Sequence, residues 1–325
     1  MNGGLLETSH AANWGGGHDI IIDGLTIDGA GLIGGGIFLS NGSHHVTVEN
    51  CVIRNTGSTG IEANASDYVT VAHNLIYHAG YNQGFSSGIT LWYGGVNPAY
   101  GGHTAWYDRA AAFHNVIADN IVSGTYDNSS DENDGNGIIV DGSGSIPPAL
   151  IVNNLVYENG GRGVEINQTS GNIWVVNNTG YANGLDLKVG GGQAAEFAAI
   201  FAKNVHLVNN LAFGRTDGRR YRTGYTYMNV QSTISWAHNL GFNGTLLGIG
   251  SIGADAQAYR QANPMLNNPP AIPATSTPWA SAIPPWRIGD DLMLRTGSPA
   301  ITAGVDPASV AGLSGALVDG LQKYA

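Results

Sequence analysis

The chain has a single cysteine, Cys51, in 325 residues. It therefore holds no internal disulfide and no cysteine-built zinc cluster. Cys51 lies in an apolar run and reads as a buried structural thiol. Charge is also scarce, at 11% of residues, with 13 basic groups against 24 acidic ones and a net charge of −11. No basic stripe exists to displace counterions from phosphates, so nucleic acid is excluded as the main ligand. No run of 18 apolar residues exists, so no transmembrane helix is expected and no membrane partner. The start, Met1-Asn2-Gly3-Gly4, has neither the basic nor the apolar stretch of a secretion signal.

What the chain does have is glycine, 49 residues of it, about double the usual share. The glycines lack the period of three that collagen needs. Hydrophobic residues make up 42%, too many for a disordered chain.

An internal repeat organises the sequence. A short β-branched run ending in Asn recurs at Asn50, Asn74, Asn120, Asn154, Asn178, Asn210 and Asn239, with Asp23 as a weaker first member. The intervals from Asp23 are 27, 24, 46, 34, 24, 32 and 29 residues. A unit near 24 with short strands and Gly/Asn turns predicts one coil of a right-handed parallel β-helix, an all-β single-stranded solenoid. Leucine-rich repeats need another leucine spacing, and propeller blades are longer. Stacked at a bend, the Asn side chains can bond from coil to coil as an uncharged ladder.

The longer intervals are insertions. They fall at residues 93–113, at the acidic 126–135, at 190–203 (with a short helix predicted over 194–202) and at 214–227. Another short helix is predicted over 254–262. Beyond Asn263 the chain turns Pro-rich and loses the repeat. The expected division is a β-helix domain over 1–262 and an extended tail over 263–325, packed along the helix or capping it.

A second strand in each coil begins with Gly. Aligned on that Gly are Gly60-Ile-Glu-Ala-Asn64, Gly88-Ile-Thr-Leu-Trp92, Gly137-Ile-Ile-Val-Asp141, Gly163-Val-Glu-Ile-Asn167 and Gly184-Leu-Asp-Leu-Lys188. Strand alternation turns the aliphatic columns inward. The outward columns are then Glu62, Thr90, Ile139, Glu165, Asp186 and Asn64, Trp92, Asp141, Asn167, Lys188. Acids, amides, an amine and a tryptophan on one strip suit a sugar-binding groove. In this register Glu165 and Asp186 are neighbours in one column. Their repulsion calls for a shared proton, a cation or Lys188. The acidic loop Asp131-Glu-Asn-Asp134 leads into Asp141, and oxygen donors at this density suit Ca²⁺. Among the histidines, His73 and His238 precede ladder Asn residues and read as structural. His103, in a loop with Trp106, Tyr107 and Arg109, is the best functional candidate.

Two passages resemble the parallel β-helix carbohydrate-active enzymes, most closely the pectate lyases of polysaccharide lyase family nine. Asp131-Glu-Asn-Asp134-Gly-Asn-Gly-Ile is similar to that family's calcium-binding acidic segment. Gly184-Leu-Asp-Leu-Lys188-Val-Gly-Gly, followed by His206-Leu-Val-Asn-Asn-Leu-Ala-Phe, looks like its lysine-bearing segment. The resemblance implies Lys188 as catalytic base, Asp131, Asp134 and Asp141 as Ca²⁺ ligands, and a polysaccharide as substrate. It also implies a secreted protein whose leader is not in this chain; a monomer is expected.

Three functions follow as expectations. The first is β-elimination from a uronic-acid polysaccharide, with Lys188 as base and Arg162, Arg215, Arg219 and Arg220 available to grip carboxylates. Trp92, Glu62, Asn167, His103, Tyr107 and Arg109 would line the groove. The second is glycoside hydrolysis with Glu165 paired with Asp186 or Asp141. The third is a non-catalytic glycan-binding solenoid.

Overall fold

The computed structural model describes residues 4–7, 17–30, 34–39, 42–93, 96–97, 102–103, 110–130, 133–142, 144–186, 193–215, 221–227, 234–243, 246–247, 260–271, 291–310, 312–313 and 315–324. Three nine-stranded sheets run along the molecule, and every pairing between consecutive coils is parallel. Coil after coil gives a strand to each sheet, with Gly144–Ser145 a second strand in sheet II from one coil, and this is a parallel β-helix. We call the sheets I, II and III. Sheet I holds Ile61–Asn64, Ile89–Trp92, Ile138–Asp141 and Val164–Asn167. Sheet II holds Asp67–Ala72, Asn115–Ala118, Ala149–Val152 and Thr169–Val176. Sheet III holds three-residue strands such as Leu155–Tyr157. Parallel pairing stacks the coils at about 4.8 Å.

Inside, Ile37, Ile61, Ile89, Ile138 and Val164 stack with Val46, Val69, Ile117, Ile151 and Ile173 as one buried column. Each large side chain there contributes roughly 1.5–3 kcal/mol by leaving water. The Gly that opens each sheet I strand has no room for a side chain. A Cβ on Gly60, Gly88 or Gly137 would lie 2.1–2.8 Å from the side chain and backbone of the next coil.

The asparagine ladder forms at the corner between sheets II and III. Asn74, Asn120, Asn154, Asn178, Asn210 and Asn239 are buried, and each Nδ2 from Asn74 to Asn210 donates to the next Oδ1 at 2.9–3.1 Å. The same Nδ2 groups donate to a carbonyl of the preceding coil. From Asn74 to Asn210 both amide hydrogens are thereby used, which is what makes a polar group tolerable here. Asn50 is the exception to the expected ladder. It aligns with His73 in the left-handed corner position, φ 53° against 57°. The ladder place in its coil belongs to Cys51, whose N–H donates to Asn74 Oδ1 at 2.9 Å and whose thiol faces the Glu49 and Ile22 carbonyls. His73 and His238 also take the left-handed corner, His238 at φ 53°.

The helix predicted over 194–202 is corrected, and the end of the one predicted over 254–262 is a strand. Residues 193–200 form a sheet I strand, Gln193–Ile200, paired with Val164–Asn167. Phe197 and Ala199 sit in the core beside Val164 and Ile166, and alternation wins over helix propensity because the slot is two-sided. In the other segment, Arg260–Gln261 pairs as a sheet III strand, and 251–259 lies outside the described residues.

The C-terminal segment is packed on the helix. Leu317 and Leu321 of the helix Gly315–Gln322 join Val116, Leu150, Trp174 and Val208 on the outer side of sheet II. Leu266 and Leu292 pack with Tyr157 and Tyr181 beside sheet III. Polar ties fix the strap to the corner. Asn209 Nδ2 donates to Val305 O at 2.8 Å and its Oδ1 accepts from Val305 N–H at 3.0 Å. His238 Nδ1 lies 3.0 Å from Ala303 O, and Asn153 Nδ2 donates to Tyr324 O.

Candidate functional site on the outer face of sheet I

Pairing sets the outward columns. Glu62, Thr90, Ile139, Glu165 and Ala198 form one; Asn64, Trp92, Asp141, Asn167 and Ile200 form the other. The first four coils match the expected register and the fifth does not. Glu165 is beside Ala198, not Asp186, and Asn167 is beside Ile200, not Lys188. Gly184–Asp186 instead spends its backbone donors on the turn of the coil before. Gly184, Leu185 and Asp186 N–H donate to the Gly161, Asn159 and Gly160 carbonyls at 2.6, 2.9 and 2.9 Å. Asp186 is buried there, at the rim where sheet III turns into sheet I.

That rim gathers the acidic loop. Gly161 N–H donates to Gly135 O, and Gly135 N–H to Ser86 O. The segments bearing Asp134, Arg162 and Asp186 therefore stack in consecutive coils. Asp127, fully buried, organises the loop: its carboxylate accepts from the N–H groups of Phe85, Ser129, Asn133 and Asp134 at 3.1–3.3 Å. Asn136 ties the loop down, donating toward Asp134 and accepting from Arg162 N–H at 2.8 Å. Asp127 and Asn136 escaped the sequence reading. Asp127-Asn-Ser-Ser is a turn signal, and only the fold turns it into an anchor.

Arg162 and Glu165 are 4% and 2% exposed, and Arg162 Nη1 donates to Glu165 Oε2 at 3.0 Å. Arg162 thus holds a carboxylate of its own chain, a correction to its expected place on the open groove. Arg215 is likewise buried, close enough to Glu196 to lower that acid's pKa. Around Arg162 the acids are in excess. Burial, then the charges of Glu165, Asp141 and Asp127, push the Asp134 carboxyl well above its usual range, with Arg162 opposing. Burial raises Asp141 against hydrogen bonds from Gly142 N–H and Asn167. Burial raises Glu165 too, with Arg162 opposing and Asp141 adding to it. Among the described residues no three His, Cys, Asp or Glu side chains converge closely enough to hold a metal ion.

Beside this cluster the face is aromatic. Trp92 is 39% exposed, and its ring centroid lies 4.7 Å from that of Tyr93. Tyr93 lies against Gly142, where a Cβ would meet its ring at 2.6 Å. Glu62, Asn64 and Asn167 are half-buried on the same face. Glu62 is raised to about 7 by burial, with a hydrogen bond from Asn64 opposing. Of the other expected residues, Lys188, Asp131, Trp106, Tyr107, Arg109, Arg219 and Arg220 lie outside the described residues. His103 pairs through its backbone with Val96.

A further polar feature is interior. Asn159 Nδ2 donates to Asn183 Oδ1 at 2.8 Å, and Asn183 in turn donates to the Glu196 carboxyl. Glu196, fully buried, is raised to about 8 by burial, against the Asn183 hydrogen bonds and the Arg215 charge.

Comparison with known proteins agrees with this architecture. Residues 9–103 match the family model described as "Right handed beta helix region". Pectate lyase L of Dickeya chrysanthemi is 25% identical over 195 residues, 55% of this chain and 45% of that protein. The chain thus spans less than half the length of that curated relative. The crystal structure of pectate lyase Pel9A superposes with a TM-score of 0.52 over 98% of this chain and 82% of that one, at 10% identity. The A-module of the Azotobacter vinelandii mannuronan C-5 epimerase AlgE4 is a looser likeness, with a TM-score of 0.42 and 13% identity over 76% of this chain and 63% of that one. The class is thereby defined: a right-handed parallel β-helix similar to carbohydrate-active proteins of that fold.

Proposed function

We propose that this protein is a polysaccharide lyase that cleaves a uronic-acid polysaccharide by β-elimination. The observation that carries the reading is the acid-rich rim, where Asp134, Asp141 and Glu165 crowd around the guanidinium of Arg162 beside the exposed Trp92. The sequence likeness to a pectate lyase supports it.

The chemistry of two described acids, Asp134 and Asp141, suits a hard divalent cation, with Asp131 outside the described residues as the third. Asp134 and Asp141 offer carboxylate oxygens, the ligand type Ca²⁺ selects, where negative charge is already in excess. Asp131, Asp134 and Asp141 would hold Ca²⁺, which when bound neutralises the substrate's carboxylate. Lys188, two residues beyond the rim residue Asp186, is the base. Its neutral amine takes the C5 proton, the C4–C5 double bond forms, the C4–O bond breaks, and the leaving oxygen takes a proton from water. Trp92 offers a stacking surface to a sugar ring, and Glu62, Asn167, His103, Tyr107, Arg109 and Arg219 complete the groove. Arg162 positions Glu165. The natural protein acts outside the cell.

A panel of acidic polysaccharides, with and without chelator, tests this. Absorbance of unsaturated product near 235 nm is expected with at least one uronan, lost on chelation and restored by Ca²⁺. Lys188→Ala is expected to lower kcat about 10²–10⁴-fold, the usual contribution of a positioned base. New reducing ends without unsaturated product, undiminished in Lys188→Ala, would establish hydrolysis instead.

A further inference from the structure

We propose that Glu62, with Asn64, forms a subsite that binds a uronate carboxylate of the substrate through the acid form of Glu62. This rests on the lyase reading and adds to it a recognition point distant from the acidic rim. The column Glu62, Thr90, Ile139, Glu165 steps through three consecutive pairings. At ~4.8 Å per coil, Glu62 stands about 14 Å along the axis from Glu165. The exposed Trp92 lies between, in the parallel column that runs from Asn64 to Asp141. A sugar chain stacked on Trp92 and reaching the rim therefore extends, one way along the axis, over Asn64 and Glu62.

An acidic polysaccharide brings negative charge to that place. Neither column contains a lysine or arginine among the described residues, from Phe38 and Glu62 to Ala198, or from Asn64 to Ile200. Ionised, Glu62 would repel the chain. In its acid form it donates an O–H to a carboxylate oxygen, a charge-assisted hydrogen bond of the stronger kind. Asn64 has amide hydrogens to add. The strands flanking Glu62 present Phe38 on one side and Thr90 and Trp92 on the other, none of them titratable near neutral pH. Thr90 is 8% exposed, and its hydroxyl has no hydrogen-bond partner among the described residues, so it does not satisfy Glu62. The nearest acids by register are two coils away on either side, Glu7 in the register position of Glu62 and Asp141 in that of Asn64. Burial keeps the Glu62 proton to about pH 7, so the acid form persists into the neutral range.

The test is KM against pH, from 6 to 8.5, for the wild-type protein and Glu62→Gln on the uronan it cleaves. The amide introduced by Glu62→Gln keeps a donor and the shape of the acid form at every pH, so the fold is retained. In the wild type KM is expected to rise severalfold across the range. In Glu62→Gln it is expected to stay low and flat, with kcat following the same pH profile in both. A flat wild-type KM, or the same rise in Glu62→Gln, would overturn the subsite and leave the lyase reading standing. No turnover of any acidic polysaccharide by the wild type would overturn the lyase reading, and the subsite with it.

Discussion

Sheets I and II share one core and one coil rise, yet their outer faces are opposites. On sheet I the outward residues are Glu62, Asn64, Trp92, Asp141, Glu165 and Asn167. On sheet II, in the same coils and beyond, they are Val116, Leu150, Trp174 and Val176, all buried beneath the C-terminal segment. Toward the first coils sheet II turns more polar, with Asp23, Thr47 and Glu49 outward beside the exposed Ile21. A solenoid thus assigns each face by what covers it. The core needs only the inward half of each strand, and the outward half is free to carry either chemistry or a strap.

The two faces also carry opposite proton chemistry. Glu62, Asp134, Asp141 and Glu165 on sheet I, and Glu196 inside it, have raised pKa values. His206 on sheet II, stacked on Trp174 at 4.2 Å and touching Gly312 of the strap, is lowered to about 4 by burial.

Cutting the strap's anchor is the strongest way to separate the faces. Leu317→Ala opens a cavity against sheet II and is expected to cost about 2–5 kcal/mol. Denaturant unfolding would measure that loss, and KM for the substrate is expected to hold. A KM that moves with it would show the two faces to be coupled.

A smaller effect comes from pH. Glu196 binds its proton more tightly folded, about 8 against an ordinary 4.5, so its contribution is full below pH 4.5 and is lost as pH rises through 8. His206 works the other way. Its folded pKa is below its ordinary 6.5, so its contribution is full above pH 6.5 and is lost as pH falls through 4. Unfolding midpoints at pH 4, 6.5 and 8.5 should show Glu196→Gln flattening the alkaline limb only and His206→Gln the acid limb only. One substitution flattening both limbs would break the contrast.

The smallest effect serves as the baseline, away from both faces. Arg54 Nε donates to Asp28 at 2.8 Å across half-open sheet III. Arg54→Ala is expected to change stability by less than about 1 kcal/mol, as exposed ion pairs do.

Much of the site was legible in sequence because alternation is local. Ile61, Ile89, Ile138 and Val164 point inward wherever their strands pair, so Glu62, Trp92, Asp141 and Glu165 had to point out. Two things were not legible. Burial of Glu165 and Arg162 depends on a loop from the preceding coil. The Glu165–Ala198 pairing depends on which of two candidate segments enters the sheet. The apolar outer face of sheet II did leave a signal, in runs such as Ala149-Leu-Ile-Val152 that are hydrophobic on both sides, as strands covered on both faces are.

Taken alone, the amino-acid order determined the coil, its 24-residue unit, the amide ladder from Asn74 onward and the inside of every sheet I strand through Val164–Asn167. These follow from period-two alternation and from the turn chemistry of Gly and Asn, both written in neighbouring residues. Only the tertiary structure decided that Cys51 replaces Asn50 in the ladder, that Gln193–Ile200 takes the place beside Val164–Asn167 in sheet I, and that the tail covers sheet II. Parallel pairing joins residues more than twenty positions apart, and a one-residue shift or an inserted turn leaves no local trace of where the next strand will lie.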